Sequence, residues 1–371
     1  MSKLFSSNPW KSRAPDYVIV VCTFLLVIIG LAMLTSASSD RGQLKFGDSY
    51  FYLKHQIVYG LSLGVILFLL ASKIYYRYLQ TLAIPMLILN FLLLALIFTP
   101  LGLASGGATR WLQFGPISFQ PSELLKITFI VYLASWLSSR SNRESDFWSG
   151  YVPFLALIGI TGLLLIFQPS TSIAFILIMT ALTMYFSSGA KISYISGTLL
   201  LGAMAFIFIS YLTPYRWQRL MTYLDPEAGA QTSSYQLNQA KMAIGSGGLW
   251  GVGYGQSTTK LRYLPQPIDD SIFAVIAEEL GFVGSSFIIL LFALLAIRSF
   301  ILAKKAPDKF GQLLLVGFGA LITIQTFMHI GSISGLIPLT GVPLPFISYG
   351  GTALAIFMGI SGIMVNISKH T

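Results

Sequence analysis

The chain has 371 residues; 55% are hydrophobic, only 10% are charged, and the formal net charge is +10. Soluble domains average about 25% charged residues, so the composition excludes a water-soluble domain and predicts a polytopic membrane protein built as one helical bundle. The lone cysteine, Cys22, excludes an intrachain disulfide, and the separated His55, His329 and His370 offer no zinc-ligand spacing.

An apolar run of about 20 residues can cross a bilayer as a helix. Ten such runs are predicted, at 16–36, 52–72, 78–100, 120–139, 151–168, 171–188, 192–212, 271–298, 311–333 and 346–367. The expected fold class is therefore all-α, a bundle of about ten transmembrane helices forming a single membrane domain over 1–371. The first run ends in "LTSAS", which imitates a signal-peptidase site. Its apolar core is longer than the roughly 7–15 residues of a signal peptide, so it is read as a retained helix.

Orientation follows from Lys and Arg, which collect on the cytoplasmic side. With both termini cytoplasmic, Lys3, Lys11, Arg13, Lys73, Arg77, Arg140, Arg143, Lys191, Arg298, Lys304, Lys305, Lys309 and Lys369 all fall inside. The positive charge thus marks topology and anionic headgroups, and no nucleic-acid partner is expected. Two features are left outside: the loop 101–120 and a long extracytoplasmic loop, 213–270.

The long loop re-enters the membrane through "LRYLPQPIDDSIFAVIAEELGFVG". Asp269 and Asp270 stand directly before the apolar run, where a carboxylate can cap a helix. One cap needs one acid, however, and two adjacent acids repel, which raises one pKa toward a general-base range. Glu278 and Glu279 lie roughly 12–14 Å further along the helix, at about 1.5 Å per residue, and are expected to form a buried structural pair facing protein or a wet cavity.

In "FQPSELLKITFIVYLASW", Pro121 and Ser122 open a helix, and Glu123 and Lys126 share one face three residues apart. Arg110 and Trp111 lie in the loop just before them. The outer end of the bundle is expected to assemble Arg110, Glu123, Lys126 and Asp270 into a mixed-charge cluster, suited to a lipid-linked phosphate and to proton transfer. The glycine-rich "AIGSGGLWGVGYGQS" lacks the Gly-Lys-Ser/Thr of a P-loop. It reads as a turn-rich loop whose N–H groups could hold an anion. "PLTGVPLPFISYGGTAL", with Ser348, is irregular backbone that membrane depth tolerates only around a cavity. It is expected to line the same outer site, with Ser348 among the substrate contacts.

Four stretches, "GATRWLQFGPISFQPSELLKI", "YQLNQAKMAIGSGGLWGVGYGQS", "YLPQPIDDSIFAVIAEELGFVG" and "SGLIPLTGVPLPFISYGGTAL", resemble in order and spacing the SEDS family (shape, elongation, division and sporulation), which includes RodA and FtsW. The resemblance covers nearly the whole chain. It implies a peptidoglycan glycosyltransferase in the bacterial cytoplasmic membrane, acting on lipid II (the undecaprenyl-pyrophosphate-linked disaccharide-pentapeptide) at the outer face for elongation or division. It also implies a class B penicillin-binding protein as partner.

The family's essential aspartate falls on Asp270, its helix-four glutamate and lysine on Glu123 and Lys126, and its loop arginine on Arg110. Where the family commonly reads His-Thr-Asp-Phe, this chain has Ile268, Asp269, Asp270 and Ser271, and where many members read Gln-Pro-Asp it has Ser170. The expectation is an inverting glycosyl transfer with Asp270 as base, Glu123 orienting Lys126, and Arg110, Asp269 and Ser348 on the substrate. Asp269 and Asp270 together could also hold a divalent cation, Mg or Mn; no organic cofactor is expected. Two other classes compete: a flippase for the same lipid, and a non-catalytic scaffold of the cell-wall machinery.

Overall fold

The computed structural model describes residues 14–105, 108–114, 117–139, 143–213, 217, 221, 223, 231–261 and 264–371. In chain order the long helices are α1 (Tyr17–Phe46), α2 (Phe51–Lys73), α3 (Tyr78–Leu96), α4 (Pro121–Ser138), α5 (Phe147–Phe167), α6 (Thr171–Ser188), α7 (Ile192–Leu212), α8 (Gln231–Ser246), α9 (Ile272–Ala303), α10 (Lys309–Ser334) and α11 (Gly351–Ser368). All but α4 and α8 are long and apolar enough to cross a membrane. With α4, which carries Glu123 and Lys126, they are the ten predicted spans. The main difference is α1, which continues to Phe46 and stops at Gly47, a left-handed C-cap with φ 69°.

The loop 101–120 is not plain loop. It folds into an antiparallel sheet of β1 (Gly102–Ser105), β2 (Ala108–Phe114) and β3 (Ile117–Phe119), in the order β1-β2-β3. Leu103 pairs with Trp111, and Leu112 pairs with Phe119. Within 213–270, read as one long loop, α8 forms a helix against α9.

One end of the bundle is tied by ion pairs. Asp16 caps α1 by accepting from the N–H groups of Val18 and Ile19 at 3.1 and 3.2 Å. Its other oxygen meets Arg298 at 2.6 Å, and its own N–H donates to Ser368 Oγ at 3.0 Å. Arg77 pairs with Asp308 at 2.8 Å, and Lys309 with Glu144 at 2.9 Å. These contacts gather both ends of the chain and the basic turns at one face, as the charge pattern predicts; Lys3, Lys11, Arg13 and Arg140 lie outside the described residues. The centre of the bundle is α10 and α11, buried over 78% and 83% of their most apolar stretch against 6% for α7. α7 therefore faces lipid.

α9 is broken at Gly281, where φ is 66° and ψ is −165°. The glycine-rich loop after α8 splices the break. Val252 and Gly253 N–H donate to the carbonyls of Glu278 and Glu279 at 2.9 and 3.1 Å. Phe282 and Val283 N–H donate to those of Gly248 and Leu249 at 2.9 and 3.1 Å. Two of the N–H groups that could have held an anion are thus spent on the open turn of a helix. A Cβ on Gly281 would overlap the backbone of Gly251 and Leu249. Gly281→Ala is expected to lower the detergent-solubilised melting temperature, by the equivalent of at least about 1–2 kcal/mol for the left-handed conformation alone; an unchanged melting temperature would count against the splice.

Candidate functional site

The carboxylate turn lies at the other end of α9. The N-cap of α9 is Ser271, which makes no side-chain cap bond; Asp269 and Asp270 precede it. Ser271 Oγ instead donates to Pro265 O at 2.8 Å and accepts from Gln236 Nε2 of α8 at 3.0 Å. The turn closes on itself, with Asp269 and Ser271 N–H donating to Gln266 O at 3.3 and 3.1 Å. Gln266 itself has φ 49°. Both aspartates are half-buried.

Two other segments hold this turn. Ser348 Oγ donates to Asp269 O at 2.8 Å and accepts from Leu344 N–H at 2.8 Å. Tyr349 N–H donates to Ile268 O at 3.0 Å. The outer turn of α2 completes the stitch: Gln56 Oε1 accepts from Gly350 N–H at 3.0 Å, and His55 Nδ1 pairs with the Tyr349 hydroxyl at 3.0 Å. Ser348 is buried and its hydroxyl is fully engaged. In this arrangement its hydroxyl holds the backbone of Asp269.

Burial, and then the charge of Asp270, push the Asp269 carboxyl from its ordinary 3.8 up to about 7; Arg41 pulls it back. The Tyr349 hydroxyl is likewise raised to about 12, by burial first and the Asp269 charge second.

Arg41 was not among the candidates from sequence. It stands on the outer extension of α1, and its Nη1 donates to Gln266 Oε1 at 3.2 Å. A cavity of about 440 Å³ opens beside it, lined among others by Asp40, Arg41, Lys45, Lys260, Gln266 and Pro267. One signal could have found it: Arg41 and Lys45 are basic residues on the side that topology leaves poor in positive charge.

Glu278 and Glu279 form the buried structural pair that the sequence suggests, but their partners are a loop and α1. Glu278 accepts from Ser257 Oγ at 2.5 Å, from Thr258 N–H at 3.1 Å, and from the Thr259 hydroxyl. Glu279 pairs with Lys260 Nζ at 2.6 Å and accepts from Ser36 Oγ at 2.6 Å. Lys260 also donates to Ser36 Oγ and Gly255 O at 2.7 and 2.9 Å. Each carboxylate is therefore paired or hydrogen-bonded, which is what its burial requires.

Glu123 and Lys126 do come together. Lys126 Nζ lies 2.8 Å from both carboxylate oxygens and 5.2 Å from the Phe357 ring centroid. Lys126 is 0% exposed and Glu123 2%. A sealed ammonium cannot touch a substrate in this arrangement, so the expected phosphate role of Lys126 is not one this geometry offers. Arg110 reaches the turn between α5 and α6, donating to Gln168 O at 3.3 Å and to Pro169 O. It sits one residue from Ser170, where the family pattern carries an acid. Among the described residues no group of three or more His, Cys, Asp or Glu is placed to hold a metal.

A bundle of apolar helices long enough to cross a membrane, with two half-buried carboxylates just before α9, defines a multi-pass membrane protein with a candidate polar site at one end of the bundle. The chain belongs to the cell cycle protein family FTSW_RODA_SPOVE, whose pattern matches residues 16–371. It is 37% identical to the stage V sporulation protein E of Bacillus subtilis over 97% of this chain and 99% of that protein. It is 36% identical to a probable peptidoglycan glycosyltransferase FtsW of Geobacter metallireducens over 100% of this chain and 99% of that protein. Among solved structures, a chain from a peptidoglycan synthase complex that couples polymerization and crosslinking matches with TM-score 0.81 and 27% identity, over 96% of this chain and 98% of that one. The rod shape determining protein RodA of Thermus thermophilus matches with TM-score 0.70 and 27% identity, over 98% of each chain.

Proposed function

We propose that this chain is an inverting peptidoglycan glycosyltransferase that polymerises lipid II at the outer face of the bacterial cytoplasmic membrane, with both termini cytoplasmic. The observation that carries the reading is the carboxylate turn. Asp270 falls where the family's essential aspartate falls, and Ser348 and Tyr349 from one segment and Arg41 from α1 hold its turn.

Asp270 takes the proton from the acceptor sugar's 4-hydroxyl. That oxygen attacks C1 of the donor MurNAc from the opposite face, and the bond from C1 to the pyrophosphate oxygen breaks. Undecaprenyl pyrophosphate leaves with the electron pair. Arg41 and Lys45, which line the cavity with Gln266 and Pro267, are assigned to the phosphates; Lys126 is assigned to support of α4.

The adjacent aspartates also fit a divalent cation of the kind held by one or two carboxylates plus substrate phosphates. Asp269 and Asp270 would hold it, and it would neutralise the leaving pyrophosphate. Chelation by EDTA is expected to stop polymerisation, and Mg or Mn to restore it; full activity in EDTA counts against the ion.

The direct test is polymerisation of purified lipid II, alone and with the cognate class B penicillin-binding protein. Glycan ladders are expected. Their absence with both proteins folded overturns the reading.

Polymerisation is expected to rise with pH through about 7, where Asp269 loses its proton and becomes able to hold a cation beside Asp270. In Asp269→Asn this rise is expected to be lost, because the group that titrates there is gone. For stability the sign is reversed. The fold holds this proton more tightly than the unfolded chain, so the contribution is present below the ordinary 3.8 and lost as pH rises through about 7. A pH–rate profile that Asp269→Asn leaves in place rules out Asp269 as the titrating group.

A further inference from the structure

We infer that the loop from Gly247 to Gln256 is docked in the outer leaflet of the bilayer: a non-spanning hairpin whose occupant is lipid acyl chain.

Three observations carry this. The first is height. The hydrocarbon of a bilayer takes about 20 helical residues. Asp16 and Arg298 pair at the inner face. Counting about 20 residues outward along α1 reaches Ser36, and the same count along α9 reaches Glu278. Ser36 and Glu279 are themselves hydrogen-bonded at 2.6 Å, so the two counts agree on one level. The loop is spliced to α9 at Glu278–Val283, and the Tyr254 hydroxyl donates to Ala32 O at 2.8 Å, one turn deeper on α1 than Ser36. The loop therefore sits at the outer edge of the hydrocarbon and slightly below it.

The second is chemistry. From Met242 to Thr259 the chain carries no charged residue. Leu249, Trp250 and Val252 are 64%, 79% and 43% exposed, and Tyr254 is 53% exposed. In water this would be a costly display. At the membrane interface, Trp and Tyr are the preferred residues. The patch is continuous with Phe282, Val283 and Phe287, the lipid-facing side of α9 just below the break.

The third is the backbone. Irregular backbone cannot enter hydrocarbon unless its polar groups are satisfied. Here Val252 and Gly253 N–H, and Gly248 and Leu249 C=O, are all paired with α9. Gly251 N–H donates to Gly247 O at 2.8 Å, and Gly255 O accepts from Lys260. The splice thus satisfies the part of the loop's backbone that lies against α9, which lowers the cost of placing it at the hydrocarbon edge. Its consequence is a fixed height: the hairpin holds the α9 break, and with it the Glu278–Glu279 network, against the hydrocarbon edge.

The test uses the whole chain in nanodiscs and needs no substrate. The only cysteine, Cys22, is replaced by alanine, and a nitroxide is attached at Trp250→Cys and, separately, at Val252→Cys. Collision with oxygen is compared with collision with a water-soluble nickel chelate. Phe287→Cys serves as the lipid-facing reference, and Leu44→Cys, on the outer extension of α1, as the aqueous one. The expected result is oxygen-favoured collision at both loop positions, like Phe287→Cys. Nickel-favoured collision, like Leu44→Cys, overturns the proposal. Low collision with both reagents also overturns it, because the loop would then be covered by protein. The readout is independent of glycosyl transfer, so its failure leaves the enzymatic reading untouched, and the reverse holds.

Discussion

Asp270→Asn is expected to reduce glycan polymerisation from lipid II by about 10²–10⁴-fold, the contribution of a positioned general base. Asparagine keeps the size and the hydrogen-bonding shape of the side chain but cannot take a proton. The turn that carries residue 270 is held at its backbone by the Ser348 hydroxyl, by Tyr349 N–H and by Gln266. The melting temperature of Asp270→Asn is measured alongside, so that loss of the base is separated from loss of the fold. Asp269→Asn is the informative companion. If Asp269 is dispensable for the chemistry, this variant keeps most of its activity and loses the pH dependence near 7. If both variants are dead while folded, the two carboxylates act together on a shared ion. A folded Asp270→Asn that polymerises normally would falsify the assignment of the base.

Much of the fold was readable because the bilayer imposes one strong rule, that each span be long and apolar. Apart from the far end of α1, the ten runs therefore landed within about five residues of the helices, and the Lys and Arg bias gathered the charged turns that the ion pairs join. What failed to show was set by contacts distant in sequence. Helix α1 continues above the membrane because Arg41 meets Gln266, more than two hundred residues away. A charged tail after an apolar run does not announce itself as helix. The glycine-rich stretch looked like a flexible or anion-holding loop because glycine frequency cannot distinguish free N–H groups from those spent on a broken helix. Gly281 is the matching half of that device, and only its φ of 66° reveals it. The aspartates were found from their cost near hydrocarbon. Ser348 and Lys126 show what sequence leaves open: a residue type suited to a substrate is equally suited to the support behind it, and both side chains are buried here.

The Glu123–Lys126 pair makes that separation measurable. Lys126→Met leaves Glu123 as a buried carboxylate without its cation. Breaking a buried pair from one side typically costs about 3–5 kcal/mol, whereas replacing both partners with groups of similar volume is often neutral. Lys126→Met is thus expected to lower the melting temperature sharply in detergent. Glu123→Gln should do so too, by stranding an ammonium that is 0% exposed. The double variant Glu123→Gln/Lys126→Met should recover most of the loss, since methionine fills the lysine channel against Phe357 and glutamine can hydrogen-bond locally. A single variant as stable as wild type would mean that the pair is not buried as described. Activity in the double variant then decides the role of the pair. If the refolded bundle polymerises lipid II, the pair only holds α4 in place beside α10 and α11. If it is stable and inactive, Lys126 must become accessible during the reaction, and the sealed arrangement is one state of a helix that moves.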